Sequence, residues 1–335
     1  MNRLTNAQLI SLMLIGNAFS LFCLAGDISL MTAVGFLAGC LIQLFMALPL
    51  ADMYSDGKDI SHSSKAVRLI LLLFVLLWGG RLFNVLWHTN SVIYIPYENN
   101  GILGRLAVAA IIAAVCVYIS SSGIKALARS GVIAAALGAV CTAIVVVNAF
   151  THSDMINLLL PHENNFFGEI MRGFSLSGGL SGFTVLLSFT KGEEIGTVVK
   201  YFTAKAVLSV TVILTAVLVT GGIMDITDFP AALAAQLSQP FPVQRIDSLF
   251  LIVFAVFAVY SIAVQASAAE YLIGSTIPQM KKFRCTVSLI IMAAASFITE
   301  EEYAEMLFAA VSAAGLLIVP AEAFLKRRVR IKSEA

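Results

Sequence analysis

Long apolar runs alternate with short polar connections from one end of the chain to the other. The runs have about the 20 residues that a helix needs to cross a bilayer core. The connections, such as MYSDGKDISHSSK and IPYENNG, collect polar and turn residues, as expected where the backbone is irregular, because lipid cannot satisfy exposed peptide groups. The pattern predicts about ten spans, at 8–25, 30–50, 69–95, 102–120, 127–150, 170–190, 202–224, 247–275, 284–298 and 304–325.

Composition supports this interpretation. The chain has 335 residues, of which 59% are hydrophobic and only 12% charged, whereas soluble domains carry roughly 25% charged residues. We therefore predict an all-α polytopic membrane protein whose partner is the lipid bilayer, with no separate soluble domain. The net charge of +1 gives no sign of a nucleic-acid partner. The five cysteines form no CxxC motif, so we expect neither disulfides nor a metal site.

The distribution of lysine and arginine predicts the topology. Seventeen of the 21 basic residues fall at the two ends and in or beside every second connection, and Lys191, Lys200 and Lys205 around the start of span seven are counted among them. Three basic residues lie in the other connections, and Arg81 alone lies within a span. This asymmetry predicts that both termini are cytoplasmic and that the number of spans is even.

The stretch FSLSGGLSGF, residues 174–183, is an uncharged cluster of serine and glycine near the middle of predicted span six. One interpretation is close helix packing, because small residues let helices approach each other in membranes. The other is that the helix unwinds there and offers peptide groups to a ligand, which is tolerated only where the break lines an enclosed cavity. The cluster has more small residues than one helix contact needs, which favours the second interpretation.

Transporters built from inverted repeats interrupt corresponding helices in their two halves. With five plus five spans, span one corresponds to span six, and the middle of span one carries Gly16, Asn17 and Ala18. We therefore predict a 5+5 inverted repeat with broken helices 1 and 6. Repeat one would run over 8–150 and repeat two over 170–325, followed by a basic cytoplasmic tail at 326–335.

Polar residues inside two further spans are candidates for the walls of a ligand site. Arg81, Asn84 and His88 share one face of span three with Ser91. An arginine at mid-membrane costs about 3 kcal/mol unless it is paired or hydrated. Arg81 therefore binds either a substrate carboxylate or an internal partner, such as an acidic side chain or backbone carbonyls. His88 is a candidate proton carrier or a hydrogen-bonded structural histidine.

Span eight adds Ser261 and Gln265, one turn apart on the same face. Glu270 lies near the inner end of this span, where it takes part in proton coupling, snorkels to the membrane surface or pairs with a cytoplasmic lysine. The sequence contains no GxSxG, HExxH or Walker motif. We expect no enzymatic activity and no cofactor.

Three passages resemble the spore germination permease family, the multi-spanning B subunit of GerA-type germinant receptors in the amino acid–polyamine–organocation superfamily. YISSSGIKALARSGVIAAALG (118–138) is similar to the family's Gly-Ile-x-x-x-Ala-Arg loop entering span five. MINLLLPHENNFFGEIMRGF (155–174) resembles its external Asn-Leu-x-Pro segment. The passage 240–274 resembles its outer Arg-x-Asp start and long span eight.

The resemblance implies a broken-helix inverted-repeat fold of the LeuT kind, a role in sensing small germinants such as amino acids, and A- and C-type receptor subunits as partners. The chain departs from the family pattern in span one, which lacks the family's glycine-rich, proline-ended segment. Carried onto this chain, it implies a ligand pocket among spans one, three, six, eight and ten, which would use Gly16, Asn17, Ala18, Arg81, Asn84, Ser177, Gly178, Gly179, Ser181, Ser261 and Gln265.

Two functions therefore follow as expectations. The first is a ligand-sensing subunit that relays pocket closure to partner subunits. The second is a stand-alone secondary transporter for amino acids, driven by protons or sodium. Both functions would use the same kind of ligand site, since the N-terminus of a half-helix favours a carboxylate. A purely structural subunit with an empty pocket is the third alternative.

Overall fold

The structure is a computed structural model. It describes residues 4–24, 28–57, 60–93, 102–151, 153–158, 166–178, 182–190, 194–221, 229–237, 246–277, 284–296 and 304–334.

Secondary structure in these ranges is helical, with two short 3₁₀ turns at Ile60–His62 and Met155–Leu158. The α-helices are α1 (Asn6–Phe22), α2 (Leu30–Ser55), α3 (Lys65–Ile93), α4 (Ile102–Ser121), α5 (Ile124–Ala149), α6 (Phe166–Leu176), α7 (Phe183–Leu187), α8 (Glu194–Thr220), α9 (Pro230–Leu237), α10 (Ile246–Thr276), α11 (Arg284–Ser296) and α12 (Ala304–Glu334).

The polytopic, all-helical prediction is confirmed. Six of the described helices, namely α2, α3, α5, α8, α10 and α12, contain a segment long and apolar enough to cross a membrane. Shorter apolar helices or segments lie in α1, α4 and α11. The predicted span six corresponds to α6 and α7 together. One boundary matters later, because α8 begins at Glu194 and not near residue 202, so that Lys200 and Lys205 lie within the helix.

Local sequence explains where several helices begin. Thr5 caps α1 through a capping box with Gln8, and Ser29 caps α2 in the same way with Thr32. Gly123 precedes α5 with a φ of 86°, a left-handed conformation that favours glycine. This glycine belongs to the first of the three passages that resemble the germination permeases.

The helix contacts follow the arrangement expected when two sets of five helices are related by an inverted repeat. In this pairing, α1 to α5 correspond to α6/α7, α8, α10, α11 and α12. The contact of α1 with α8 then corresponds to that of α2 with α6, and both are observed. The contacts α3–α11 and α4–α10 form a second such pair, and α1–α5 and α6–α12 a third. The residue boundaries of the repeats and the orientation of the termini stay predictions.

The inner and outer helices differ in exposure. On α5, a stripe of large apolar residues faces outward, as a lipid-facing surface would. Its members recur at helical spacing: Ile133, Leu137, Val140, Ile144 and Val147. By contrast, α10 is buried along most of its length from Phe250 onward. The central helices that could enclose a ligand are therefore α1, α3, α6/α7 and α10.

Candidate functional site

The sixth span is interrupted, as predicted. Helix α6 ends at Leu176, and α7 begins at Phe183. The last turn tightens before the interruption, because the Ser177 amide donates to both Gly173 and Phe174 carbonyls and the Gly178 amide donates to Ser175. Two of the predicted ligand residues, Gly179 and Ser181, lie outside the described residues.

The prediction of a break in span one is wrong. Helix α1 runs continuously through Gly16, Asn17 and Ala18. The Asn17 amide, which suggested a weak point, donates to Ser209 Oγ of α8 at 2.9 Å. Because this partner satisfies the amide inside the membrane, the helix has no need to unwind. A glycine within a helix costs only about 1 kcal/mol, which tertiary packing easily offsets.

Close helix packing through a glycine also occurs, but at Gly173, the residue before the stretch 174–183. It lies on α6 one turn before the interruption. A Cβ added to Gly173 would lie 2.0 Å from the Thr32 carbonyl oxygen of α2, and one added to Gly35 would lie 2.0 Å from that of Ile170. Gly39, four residues after Gly35, has Ser177 Oγ equally close. The glycines therefore let the two helix backbones touch, as small-xxx-small motifs do in membranes.

A fully buried lysine closes the end of α6. Lys205 of α8 is 1% exposed. Its Nζ donates to the Ser177 carbonyl oxygen, 2.5 Å away, and to Gln43 Oε1 of α2, 3.0 Å away. Gln43 Nε2 in turn donates to the same carbonyl at 2.9 Å and to Ser177 Oγ at 3.0 Å. Three helices thus meet in one buried polar cluster of Lys205, Gln43 and Ser177.

Helix α8 also connects this cluster to the first helix. Ser209, which accepts the hydrogen bond from Asn17, lies one turn after Lys205 and on the same helix face. One face of α8 thus holds the interrupted helix through Lys205 and α1 through Ser209. A movement of α6 relative to α1 would have to change at least one of these contacts.

A small cavity lies between α1, α3 and α10. Among its walls are Gly16, Trp78, Ser261 and Gln265, three of which were predicted as ligand residues. Its volume is about 10 Å³, which is room for about one water molecule. The Gln265 amide reaches the second half of the interrupted helix, since a Cβ added to Gly182 would lie 2.9 Å from Gln265 Oε1. The structure thus places the cavity next to the interruption, in a closed state.

Arg81, Asn84, Ala18 and Gly178, also predicted as ligand residues, are not among the residues that line this cavity. Arg81 and Asn84 are half-buried on α3, where Trp78 and Leu82 line the cavity. Ala18 is buried in the α1 packing. The missing side chain of Gly178 faces α12, because a Cβ there would lie 2.8 Å from Ala309 Cα. The ligand-binding roles of these residues stay predictions.

The two candidates for ion coupling, His88 and Glu270, do not line the cavity. The exposed ring of His88 stands 5.9 Å from that of Phe229, between ring centroids. Glu270 is half-buried on α10, close enough to Cys285 of α11 to interact electrostatically with it. A larger groove of about 730 Å³ lies between α5 and α8, and exposed valines such as Val147 and Val207 line it. Its apolar, outward-facing walls suit lipid chains rather than a polar ligand.

Sequence reasoning missed Lys205 and Gln43. Lys205 was counted with the cytoplasmic cations, because it lies only three residues after the predicted start of span seven at residue 202. The structure removes it from that set, while the asymmetry of the remaining basic residues still favours cytoplasmic termini. Gln43 was detectable, since it is a lone amide in the middle of apolar span two, where an unpaired amide is costly.

Comparison with solved structures shows which fold this is. The chain is similar to Mhp1, a nucleobase-cation-symport-1 family transporter, in a closed conformation with bromovinylhydantoin bound. The TM-score is 0.64 at 16% sequence identity, over 98% of this chain and 80% of that chain. Such low identity shows the fold alone, which is the APC-like LeuT fold. No model of a known protein family matches the chain, and the search of curated proteins gives no match.

Proposed function

We propose that the protein is a membrane permease for a small polar molecule, which binds between α1, α3 and α10 beside the interruption of the sixth span. The observation that carries the proposal is the position of the cavity. Gly16 and Ser261 line it, and Gln265 connects it to Gly182, the first described residue after the interruption. A ligand entering the cavity would therefore contact the helix segment whose backbone groups are not committed to a continuous helix.

The closed cavity fits a protein that alternates between states. At about 10 Å³ it has no room for an amino acid, so the helices around it must separate before a ligand enters. In the LeuT fold such opening is largely rigid-body movement of one group of helices against another. The α8 contacts to α1 and to the end of α6 are where this chain would resist or allow that movement.

We propose a carboxylate-bearing ligand, with an amino acid as the first candidate. Arg81 is the reason, because it lies half-buried on the helix whose Trp78 and Leu82 line the cavity. A guanidinium pairs with a carboxylate through two parallel hydrogen bonds. Arg81→Ala should abolish ligand binding while the protein remains expressed and inserted. An unchanged dose–response in this variant would remove the carboxylate from the proposal.

The test starts with the full chain in detergent and a panel of radiolabelled ligands. The panel contains the L-amino acids, uracil and a hydantoin, the last because the similar transporter Mhp1 was solved with a hydantoin bound. Equilibrium binding is measured first. Uptake into proteoliposomes then follows with an inward proton or sodium gradient. The proposal expects at least one saturable ligand that accumulates; no binding and no uptake across the panel would contradict it.

A pair of glycine variants locates the site. A Cβ on Gly16 would lie 4.0 Å from Ser261 Oγ, an ordinary contact, so Gly16→Ala should fold normally and yet fill the cavity. Gly196 of α8 has nothing within 4 Å of an added Cβ and is the matched control. Gly16→Ala should weaken binding of the ligand found above, and Gly196→Ala should not. Equal affinity in both variants would place the ligand elsewhere.

The second candidate is a germinant-sensing subunit that works with A- and C-type receptor subunits. The three similar passages favour it, including the loop in which Gly123 adopts its positive φ at the start of α5. A sensor binds ligand in detergent but does not accumulate it in proteoliposomes, and it copurifies with partner subunits. Robust uptake by the isolated chain would count against sensing and for transport.

A further inference from the structure

Lys205 has no place in the predicted site, yet it is among the most completely buried large side chains of the protein. It lies eleven residues after the start of α8, within the segment apolar enough to cross a membrane. A buried ammonium without compensation is strongly destabilising. Its surroundings should therefore be built to receive a cation.

The atoms around Lys205 Nζ are those that receive a monovalent cation. Two oxygens accept its protons, the Ser177 carbonyl and Gln43 Oε1. Two aromatic rings face it, Phe36 at 5.7 Å and Phe202 at 5.8 Å from Nζ to the ring centroid. Both distances suit a cation–π interaction. Within the described part of the chain, no carboxylate pairs with Lys205. The compensation comes from neutral dipoles and aromatic rings.

The position of the cluster of Lys205, Gln43 and Ser177 along the interrupted helix indicates what it could do. Ser177 directly follows Leu176, the last residue of α6, so its carbonyl stands at the C-terminal end of that half-helix. This end carries the negative part of the helix dipole. In transporters with broken helices, half-helix C-terminal ends and unwound carbonyls coordinate the coupling cation. Here the ammonium of a side chain from α8 stands at that place.

We propose that Lys205 is a tethered cation that fills the cation position at the end of α6, so that no dissolved sodium ion is needed there. The inference uses the same helix interruption as the proposed function. Its test, however, measures the protein without ligand, so failure of the transport proposal and failure of this one can be told apart.

The experiment measures the thermal stability of the full chain in detergent, in NaCl, KCl and choline chloride at equal ionic strength. Any gain of the wild-type Tm in NaCl over choline chloride should be smaller than the gain of Lys205→Ala. Lys205→Ala should unfold several degrees lower in choline chloride. It should regain part of the loss in NaCl or in propylammonium chloride, which replaces the missing amine. Lys200→Ala, an exposed lysine on the same helix, is the control and should show neither effect.

A rise of the wild-type Tm in NaCl, relative to choline chloride, that is as large as the rise for Lys205→Ala would overturn the proposal, since removing Lys205 would then create no additional site for sodium. So would a Lys205→Ala Tm that is identical in choline, sodium and propylammonium salts. If Lys205→Ala yields no folded protein, the Tm of Lys205→Met is compared with that of the wild type instead. Lys205→Met keeps the apolar stem of the side chain and removes only the charge. The proposal expects Lys205→Met to be less stable than wild type; equal stability would overturn it.

Discussion

The contact between α2 and α6 allows a sharp test with a single methyl group. A Cβ added to Gly173 would lie 2.0 Å from the Thr32 carbonyl oxygen, 2.8 Å from its carbon and 2.9 Å from the Phe36 amide nitrogen. All three atoms belong to the backbone of α2, so no side chain can rotate away. Gly173→Ala must therefore push the two helices apart.

The structure sets the size of the effect. A normal carbon–oxygen contact is about 3.3 Å, so the helices would separate by about 1 Å. A gap of this size forfeits about a quarter to a half of each dispersion contact along the interface. Overpacking costs about 1–3 kcal/mol of folding free energy. Because the neighbouring atoms are backbone and cannot rotate away, we expect Gly173→Ala to lie at the upper end of this range, at about 3 kcal/mol. The corresponding fall in Tm is roughly 4 °C for a chain of 335 residues.

Thermal unfolding in detergent, followed by tryptophan fluorescence, measures this fall. Gly196→Ala on α8 is the control, because a Cβ there has nothing within 4 Å. Its helix should gain slightly from the better helix former. A Gly173→Ala protein as stable as wild type would refute the direct backbone contact, and with it the glycine-mediated packing of α6 against α2.

Two further contacts give predictions of smaller size. Asn17→Ala and Ser209→Ala should each destabilise the protein. A double-mutant cycle should give a coupling energy of about 0.6 kcal/mol for their hydrogen bond, which is the average for such bonds in membranes. Strictly additive effects would mean that the bond contributes nothing. Glu322 of α12 accepts from the Ser64 amide at the start of α3 and from Lys326, both at 2.8 Å. Glu322→Ala should therefore cost about 1 kcal/mol by analogy with a lost helix cap. Lys326→Ala should cost less, because Lys326 is 58% exposed; equal losses of stability in chemical unfolding would contradict this ranking.

Much of the fold could be predicted because the bilayer imposes strong constraints on sequence. Span length follows from the thickness of the hydrocarbon core, and polar connections follow from the cost of unsatisfied backbone groups. The run of glycine and serine from Phe174 to Phe183 predicted the interruption of span six, because it contains more small residues than one helix contact needs. The structure ends α6 at Leu176 and begins α7 at Phe183, close to both ends of that run.

The error in span one has the opposite cause. Gly16 and Asn17 resemble a helix break only when the residues around them in space are ignored. The partner of Asn17 is Ser209, which lies 192 residues away in the sequence. Local sequence cannot show that an amide is satisfied across the bundle, so it could not distinguish a break from an interhelical hydrogen bond.

Lys205 illustrates a third limit. Counting cations outside apolar runs is a good guide to topology, but it treats every lysine near a span end as solvated. Gln43 and Ser177, the residues that receive its ammonium, come from two other helices. Their convergence is a property of the packed bundle and is not encoded near residue 205.

The most direct test of the central claim is whether the closed cavity opens in the membrane. In a cysteine-free background, Ser261→Cys places a thiol on the cavity wall, and Ala263→Cys places one at a buried position on another face of the same helix. Both are exposed to a small, charged methanethiosulfonate reagent in membrane vesicles. If the helices around the cavity separate to admit a polar ligand, Ser261→Cys reacts several times faster than Ala263→Cys. Equal, negligible labelling at both positions would mean that the cavity never opens to water, and would contradict a ligand site at the interrupted helix.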